Sequence, residues 1–230
     1  MKIGVFAYNF PHWKTQEGIH NLILNGFKPD IIFAADSVKL NFYQSKVRIS
    51  PKDLYLTHPK DIAETHNIPY HVTIHNSEET KDLIQQYDLD VGVILGSRIL
   101  KPIVIDQFKV GVLNMHPGIL PDNRGLDNLK WALINDHKQG VTTHLIDSKI
   151  DMGSMIEQEF IQIYKDNTLL DLHLRIQSLE QRLMISSLKA LNGPIEFTKL
   201  SSGNYYKSVP EEIEQKLHLH FYNYKQKYGE

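Results

Sequence analysis

Residues 90–125 read DVGVILGSRILKPIVIDQFKVGVLNMHPGILPDNRG. Two apolar runs in this stretch, Val91–Leu95 and Val110–Met115, lack regular polar alternation and predict strands that are buried on both faces. Asn114 and His116 stand at the end of the second run, immediately before a Pro-Gly turn. The stretch therefore predicts two strands of a covered sheet, with polar side chains at the end of the second strand.

The sequence before this stretch alternates strand and helix patterns. The predicted elements are Ile3–Tyr8, Thr15–Asn25, Ile31–Ala35, Asp61–Asn67, Tyr70–Ile74 and Ser77–Tyr87, the last with Asn76 and Glu79 as a capping box. Repeated strand–helix–strand units predict an α/β fold: a Rossmann-like, doubly wound, mostly parallel sheet with right-handed crossovers. In such sheets the site lies at the carboxyl ends of the strands.

The pattern changes after Met115. A helix is predicted at Asn128–Asn135, and two strands are predicted at Val141–Ile146 and Met155–Ile163. Leucines and isoleucines at near-helical spacing then predict a long amphipathic helix at Leu169–Leu191. We expect residues 1–193 to form the catalytic domain. Residues 194–230 would be a short C-terminal appendage, a hairpin or helix that serves dimerisation or substrate contact.

Composition disfavours several classes of function. Apolar residues make up 41% and charged residues 23% of the 230 residues, which is typical of a globular domain. The absence of cysteine excludes disulfide scaffolds, thiolate metal sites and cysteine nucleophiles. A formal net charge of −2 disfavours bulk binding to a phosphate backbone. No stretch approaches ~20 apolar residues or forms a signal peptide, so we expect a soluble, cytoplasmic protein.

Two further patterns disfavour metal and dinucleotide sites. His71 and His75 stand at i, i+4, a spacing that pairs metal ligands on a helix. The surrounding sequence predicts a strand, which would separate them by ~13 Å, so no metal is expected. The turn at Asn9–Trp13 contains no glycine, whereas a phosphate-binding turn uses glycines to bring backbone N–H groups close to the oxygens.

Three polar residues indicate the chemistry. Asn114 and His116 are two apart on a strand and therefore point the same way. Asp151 lies in a glycine-containing loop, IDMGSMI at 150–156. His116 can act as general acid or base, Asp151 can orient the ring and favour its protonated form, and Asn114 can donate to a developing oxyanion. The alternative is structural: a histidine that caps a strand end, next to ordinary turns.

The motifs NMHPGILP at 114–121 and NRG at 123–125, followed by GVTTHLID and IDMGSMI, resemble the folate-dependent formyltransferases. That family includes glycinamide ribonucleotide transformylase, methionyl-tRNA formyltransferase and the sugar-nucleotide N-formyltransferases. The resemblance covers roughly residues 90–158, and the combination of Asn-x-His-Pro with Asp-x-Gly is specific to the family. It implies that Asn114, His116 and Asp151 are the catalytic residues.

The resemblance also implies 10-formyltetrahydrofolate as the formyl donor. Gly96–Leu100 is similar to the family's folate-binding loop, and Asp147–Asp151 would close the other side of the pterin pocket. The residues implied in donor binding are Val93, Arg98, Ile99, Leu100, Val104, Ile105, Asp147 and Ile150. In the implied reaction a substrate amine attacks the formyl carbon while Asn114 and protonated His116 stabilise the oxyanion.

Sequence outside the motifs separates three acceptors. The ribonucleotide enzyme usually has a Gly/Ser-rich loop after its first strand, where this chain has NFPHW. The tRNA enzyme adds a C-terminal barrel and favours basic surfaces, whereas ~40 residues follow the predicted long helix here and the net charge is −2, so we do not expect a tRNA acceptor. His116–Gly118 and Asn123–Gly125 fit the sugar-nucleotide branch. The resemblance therefore implies a dTDP-linked amino-dideoxy sugar, of the 4-amino-4,6-dideoxyglucose type, with the other two acceptors as alternatives.

Contacts to the acceptor are expected from side chains scattered over the second half of the chain: Arg124, Lys130, Tyr205, Tyr206 and Lys207. For residues 203–207, the alternative is a hairpin that packs on its own domain or on a second subunit. The expected partner is a nucleotide-sugar substrate, with neither nucleic acid nor membrane; a homodimer is one option. The alternative to an enzyme is a degenerate module that binds folate or a nucleotide, which the intact Asn, His and Asp disfavour.

Overall fold

The computed structural model of the protein describes residues 1–38, 45–47, 49–148 and 152–230. Its strands are β1 (Ile3–Tyr8), β2 (Ile31–Ala35), β3 (Tyr70–Val72), β4 (Val91–Ile94), β5 (Gly111–His116), β6 (Arg124–Gly125), β7 (Gly140–Leu145), β8 (Ser154–Phe160), β9 (Thr198–Lys199) and β10 (Tyr205–Tyr206). Its helices are α1 (Trp13–Leu24), α2 (Pro59–Thr65), α3 (Glu78–Tyr87), α4 (Pro102–Ile105), α5 (Asn128–Ile134), α6 (Leu169–Leu191), α7 (Glu211–Glu214) and α8 (Leu217–Tyr228).

The main sheet of the described residues has the order β3-β2-β1-β4-β5-β7-β8-β9. Strands β3, β2, β1, β4 and β5 are parallel, and β7, β8 and β9 continue the sheet as antiparallel strands. Strand order reverses at β1, which is flanked by β2 and β4. The predicted doubly wound, mostly parallel sheet is confirmed, and the carboxyl ends of β1, β4 and β5 meet at one edge.

Apolar side chains cover both faces of the sheet. One face packs against α1, α2 and the C-terminal half of α6, with Val5, Val93 and Met115 in that core. The other face packs against α3 and α4, with Phe6, Phe33 and Val112 in that core. This burial on both sides explains why the strands are continuous apolar runs in the sequence.

A third core joins the C-terminal segment (residues 194–230) to the rest of the protein. Leu217, Phe221 and Tyr224 of α8 pack in one cluster with Leu129 of α5 and Leu172 and Ile176 of α6. The C-terminal segment therefore shares a hydrophobic core with the sheet domain, and α8 lies against α5 and the N-terminal half of α6. None of the helices in the described part of the chain has the length and apolar character needed to span a membrane.

The predicted capping box at α3 is wrong. The side chain of Ser77, one residue later than expected, caps the helix by accepting from the Thr80 backbone N–H at 3.2 Å. The Glu79 carboxylate instead accepts from Thr73 Oγ1 at 2.9 Å. Asn76 and Ser77 are both residue types that cap helices well. Ser77 caps α3 here, because the side-chain amide of Asn76 is hydrogen-bonded to the main chain of Ile99 and Lys101.

Candidate functional site

Asn114 is half-buried on β5, directly opposite His144 on β7. Its Nδ2 lies 3.2 Å from His144 Nε2, and His144 Nδ1 lies 2.9 Å from the Met152 carbonyl oxygen. Because a carbonyl only accepts, Nδ1 of a neutral ring donates to Met152 and Nε2 accepts from the Asn114 amide. His144 is fully buried, so this contact fixes the orientation of the amide.

His116 ends β5 and is 3% exposed. Its Nε2 lies 2.7 Å from the Asn123 carbonyl oxygen and 3.1 Å from Asn128 Nδ2. One partner accepts and the other donates, so the loop accommodates this nitrogen with or without a proton. A Cβ on Gly118 would lie 2.8 Å from Asn123 O and 3.0 Å from His116 Nε2. The glycine of the His-Pro-Gly turn therefore permits the close approach that holds the ring.

Ile150 and Asp151 lie outside the described residues, so the expected catalytic role of Asp151 stays a prediction. The described residues on either side contribute to the site. Ser148 borders the cavity that contains Asn114, and the carbonyl of Met152 accepts from His144.

A cavity of about 310 Å³ lies at the carboxyl ends of β4 and β5. Its lining residues are Ile94, Ser97, Arg98, Ile99, Leu100, Asn114, Gly125, Leu126, Ile146, Asp147, Ser148 and Tyr205. We call it the Asn114 cavity. Two apolar side chains at its edge are unusually exposed, Ile99 at 63% and Leu126 at 53%, as is typical of a site whose ligand covers them.

The residues that were expected to bind the formyl donor fall into two groups in the described structure. Arg98, Ile99, Leu100 and Asp147 line the Asn114 cavity. Three others lie in the hydrophobic cores and are absent from the described cavity lining: Val93, Val104 and Ile105. These three are fully or almost fully buried, so they support the cavity wall from behind.

Asn76 holds the loop that forms one wall of the Asn114 cavity. Its Nδ2 donates to the Ile99 carbonyl oxygen at 2.9 Å, and its Oδ1 accepts from the Lys101 N–H at 2.7 Å. Both ends of the amide thus bind main-chain groups about 25 residues away in the sequence. Asn76 was predicted to cap helix α3, and no local signal in the sequence distinguishes that role from the one observed.

A larger cavity, of about 580 Å³, lies at the carboxyl ends of β1, β2 and β3. The rings of Tyr8 and Phe10 stack beside it with centroids 4.9 Å apart. Arg98 lines both this cavity and the Asn114 cavity. A long anionic ligand that extends from one cavity to the other would pass this guanidinium group.

A third cavity, of about 200 Å³, borders the His-Pro-Gly turn through Pro117 and Asn128. Helix α6 contributes His173, Gln177 and Glu180 to its wall, so we call it the α6 cavity. His173 Nε2 and Gln177 Oε1 are buried and have no hydrogen-bond partner among the described residues. Burial lowers the pKa of His173, which favours the neutral ring. Such orphaned polar atoms indicate a missing polar partner.

Lys130 does not lie on an accessible surface. It is 2% exposed, and its Nζ lies 2.7 Å from a carboxylate oxygen of Glu214, which is itself 2% exposed. The ammonium group also donates to Ser45 Oγ at 2.9 Å. These contacts anchor the C-terminal segment, and they replace the expected contact between Lys130 and the acceptor.

The remaining expected acceptor contacts lie on or beside β10. Tyr206 stacks on Trp131, with ring centroids 4.9 Å apart, and the Lys207 carbonyl accepts from the Trp131 indole at 2.6 Å. Arg124 lies on β6, which pairs with β10. Tyr205 alone of these tyrosines lines the Asn114 cavity.

His75, which the sequence analysis considered as a metal ligand together with His71, has a structural role. His75 Nε2 lies within hydrogen-bond distance of the carbonyl oxygens of Ala7 and Phe33, at 3.1 and 3.0 Å. Within the described ranges, no group of three or more His, Asp or Glu side chains could hold a metal ion.

Comparisons with known proteins identify the family. A family model described as formyl transferase matches residues 36–188. The methionyl-tRNA formyltransferase of Chlorobium chlorochromatii is 29% identical over 134 residues, which are 57% of this chain and 43% of that protein. The chain spans less than half the length of the curated relatives it matches.

Solved structures show the same fold. Glycinamide ribonucleotide transformylase 1 of Symbiobacterium toebii is 19% identical, with a TM-score of 0.65 over 87% of this chain and 94% of that chain. The formyltransferase PseJ of Anoxybacillus kamchatkensis, in complex with UDP-4,6-dideoxy-4-formamido-L-AltNAc and tetrahydrofolate, is 25% identical, with a TM-score of 0.54 over 70% of this chain and 84% of that chain. Because the family model spans more than half of its 230 residues, this chain belongs to the formyl transferase family.

Proposed function

We propose that this chain transfers the formyl group of 10-formyltetrahydrofolate to the amine of a dTDP-linked amino-dideoxy sugar, such as 4-amino-4,6-dideoxyglucose. The observation that carries the proposal is the position of Asn114. In a member of the formyl transferase family, its amide lines a cavity at the carboxyl ends of β4 and β5, next to His144 and two residues before His116.

The Asn114 cavity suits the ring system of the donor. Its apolar walls, Ile94, Leu100 and Ile146, can pack against a flat heterocycle, and the exposed side chains of Ile99 and Leu126 would be covered by it. Arg98 would lie beside the anionic tail of the donor where the ligand continues toward the larger cavity. When bound there, the donor supplies an activated formyl group to the end of β5.

The proposed chemistry needs stabilisation of a developing oxyanion and a path for one proton. Asn114 has a second N–H on the nitrogen that contacts His144, and this hydrogen would stabilise negative charge on the formyl oxygen as the acceptor amine attacks. Such a preorganised donor contributes roughly 3–4 kcal/mol to the transition state. His116 holds its Nε2 against the loop at Asn123 and Asn128, and its ring lies 6.5 Å from that of His144, centroid to centroid. In its protonated form it would add positive charge near the same oxygen. Asp151 would help, through water, to pass the proton from the attacking amine to the leaving nitrogen.

The α6 cavity is where we place the sugar of the acceptor. It adjoins the His-Pro-Gly turn, so a ring bound there can direct its amine toward the end of β5. The orphaned atoms His173 Nε2 and Gln177 Oε1 would gain partners from sugar hydroxyl groups. Glu180, whose side chain is 6% exposed and 2.6 Å from Lys14 Nζ, adds a carboxylate to the wall. The PseJ structure is a complex with both a formamido sugar nucleotide and tetrahydrofolate, which supports the proposal of two ligands on this fold.

The experiment that tests the proposal is an acceptor panel. The chain is mixed with 10-formyltetrahydrofolate and one acceptor at a time: amino-sugar nucleotides with dTDP or UDP, glycinamide ribonucleotide, or methionyl-tRNA. We expect donor consumption with a dTDP-amino sugar only. If glycinamide ribonucleotide or methionyl-tRNA is formylated and no amino-sugar nucleotide is, the proposed sugar acceptor is wrong and the formylated compound is the acceptor. No turnover with any acceptor, despite folate binding, would favour a binding module.

His144 is expected to act as a positioning residue for Asn114. Replacing it with alanine removes the acceptor that orients the Asn114 amide, so we expect kcat to fall about tenfold with little change in KM for either substrate. His144→Gln, whose side-chain oxygen can accept the same N–H, should recover part of the rate. Steady-state kinetics of both variants provide the check. A change confined to KM would assign His144 to substrate binding instead.

Gln177 is expected to contribute to acceptor affinity only. Truncation in Gln177→Ala should raise KM for the acceptor about three- to tenfold, since one hydrogen bond contributes about 1 kcal/mol, and should leave the Kd of tetrahydrofolate unchanged. Gln181→Ala, one turn further along α6 on a surface groove away from the α6 cavity, is the matched control. Equal effects of the two variants would remove the α6 cavity from acceptor binding.

A further inference from the structure

The C-terminal segment is attached to the loop that follows the His-Pro-Gly turn. Strand β10 pairs in parallel with β6, so that Tyr205 is opposite Arg124 and Tyr206 is opposite Gly125. The Arg124 N–H donates to the Asn204 carbonyl at 3.2 Å, and the Leu126 N–H donates to the Tyr206 carbonyl at 2.9 Å. The main chain around β10 is thus held by hydrogen bonds from Arg124 and Leu126, the two neighbours of Gly125.

Gly125, the glycine of the Asn-Arg-Gly motif, is required by this pairing. Its φ is +101°, a region that favours glycine. A Cβ at this position would lie 2.0 Å from the Tyr206 carbonyl oxygen, a main-chain atom that cannot rotate away. Any side chain at position 125 would therefore displace β10 from β6.

The side chains of the two tyrosines of β10 point to opposite sides of the strand. Tyr206 stacks on Trp131, and the Trp131 indole N–H donates to the Lys207 carbonyl at 2.6 Å. Because successive side chains of a strand point to opposite sides, the stacking of Tyr206 directs Tyr205 the other way. Tyr205 accordingly lines the Asn114 cavity while remaining 45% exposed.

We propose that the C-terminal segment completes the donor site, with the ring of Tyr205 packing against the planar aromatic part of a bound folate. The inference rests on the proposed function, because it takes the Asn114 cavity as the site of the donor. Tyr205 lines this cavity together with the exposed apolar side chains of Ile99 and Leu126. A flat ring bound in this cavity would bury apolar surface of Tyr205, Ile99 and Leu126, which stabilises the complex. Packing of that ring against Tyr205 would add an aromatic contact.

This contact gives the Asn-Arg-Gly motif a role in donor binding. Gly125 leaves room for the main chain of β10, and the stacking of Tyr206 on Trp131 fixes the orientation of that strand. This orientation directs the Tyr205 ring into the Asn114 cavity, where it would contact the ligand. Tyr205 is thereby a binding residue, and Gly125 and Tyr206 are positioning residues.

The test measures the Kd of tetrahydrofolate, which has no formyl group to transfer, by isothermal titration calorimetry on the full chain. Tyr205→Ala is expected to raise this Kd about tenfold, the equivalent of one lost aromatic contact. Tyr205→Phe should bind like the wild type, because the ring and not the hydroxyl makes the contact. Gly125→Ala should weaken binding at least as much as Tyr205→Ala. Tyr222→Ala, on an exposed face of α8 at 59% exposure, is the matched control and should bind like the wild type.

The outcomes separate this inference from the proposed function. If the wild type binds tetrahydrofolate and Tyr205→Ala binds it equally well, the role of Tyr205 is wrong and the proposed function stands. If the wild type itself does not bind tetrahydrofolate at millimolar concentration, both the role of Tyr205 and the proposed function are wrong.

A second measurement uses the wild type alone, in case Gly125→Ala does not fold. Addition of tetrahydrofolate is expected to slow hydrogen exchange of the main-chain amides at 204–207 and 124–126. It should not alter the exchange of α8 amides around Tyr222. Unchanged exchange at 204–207 under saturating ligand would overturn the inference.

Discussion

Replacing His116 with alanine is expected to lower kcat for formyl transfer at least ~100-fold, because the imidazole acts on charge that develops only in the transition state. The Kd of tetrahydrofolate should stay near the wild-type value, since His116 is 3% exposed and is not part of the described lining of the Asn114 cavity. Single-turnover and steady-state rates, with calorimetric binding on the same protein, measure both quantities.

The matched control for this variant is His218→Ala, which removes an exposed imidazole from α8. It should retain the wild-type rate. Because His116 Nε2 bonds the loop at Asn123 and Asn128, thermal melting must show that His116→Ala is folded at the assay temperature. A folded variant whose activity drops less than ~10-fold would remove His116 from the mechanism.

Replacing Glu214 with alanine is expected to destabilise the fold by about 3–4 kcal/mol. Lys130 and Glu214 are each 2% exposed and 2.7 Å apart. The substitution leaves the buried ammonium group with the Ser45 hydroxyl at 2.9 Å and, as its remaining carboxylate among the described residues, Asp127 at 3.7 Å. Urea unfolding followed by circular dichroism gives the free energy of unfolding of the variant and of the wild type.

Two controls test whether burial causes this effect. Glu64→Ala removes the carboxylate of an exposed i, i+4 pair with Lys60 and should change the free energy of unfolding by less than ~0.5 kcal/mol. The double variant Lys130→Met with Glu214→Leu removes both buried charges and should recover most of the loss. A Glu214→Ala variant as stable as Glu64→Ala would show that the pair is not effectively buried.

The elements that sequence reasoning predicted best are those with a simple apolar pattern. Strands β1 and β2 and helix α6 have the predicted bounds, because each is an uninterrupted apolar run or a long stripe at helical spacing. The short elements β6, β9, β10, α4 and α7 were not predicted. They contain two to four residues each, too few to establish a period, and they form through contacts with distant parts of the chain.

The site was predictable where the chemistry lies on a strand. The two-residue spacing of Asn114 and His116 indicated a shared face at the end of β5. His144 was missed, although the sequence holds a signal for it: a histidine within a predicted strand, GVTTHLID, that becomes the partner of Asn114 once β7 pairs with β5. The antiparallel register that places these two residues opposite each other is not visible in either strand alone.

Side chains whose role depends on burial could not be assigned from the sequence. Lys130 was expected to contact the acceptor, but Glu214, 84 residues away in the sequence, pairs with its ammonium group in the protein interior. Tyr205 and Tyr206 are adjacent in the sequence, and the pairing of β10 with β6 sends one toward the Asn114 cavity and the other onto Trp131. Local sequence carries no information about such long-range contacts.

The most direct test of the central claim is a single mass-spectrometric measurement of the acceptor. The chain is incubated with 10-formyltetrahydrofolate and dTDP-4-amino-4,6-dideoxyglucose, with His116→Ala and no-enzyme reactions in parallel. We expect the wild type to convert the acceptor to a product heavier by one carbon and one oxygen, with an equal amount of tetrahydrofolate released, and the His116→Ala reaction to be at least ~100-fold slower. An acceptor of unchanged mass, from a folded protein that binds tetrahydrofolate, would contradict the proposed sugar-nucleotide acceptor.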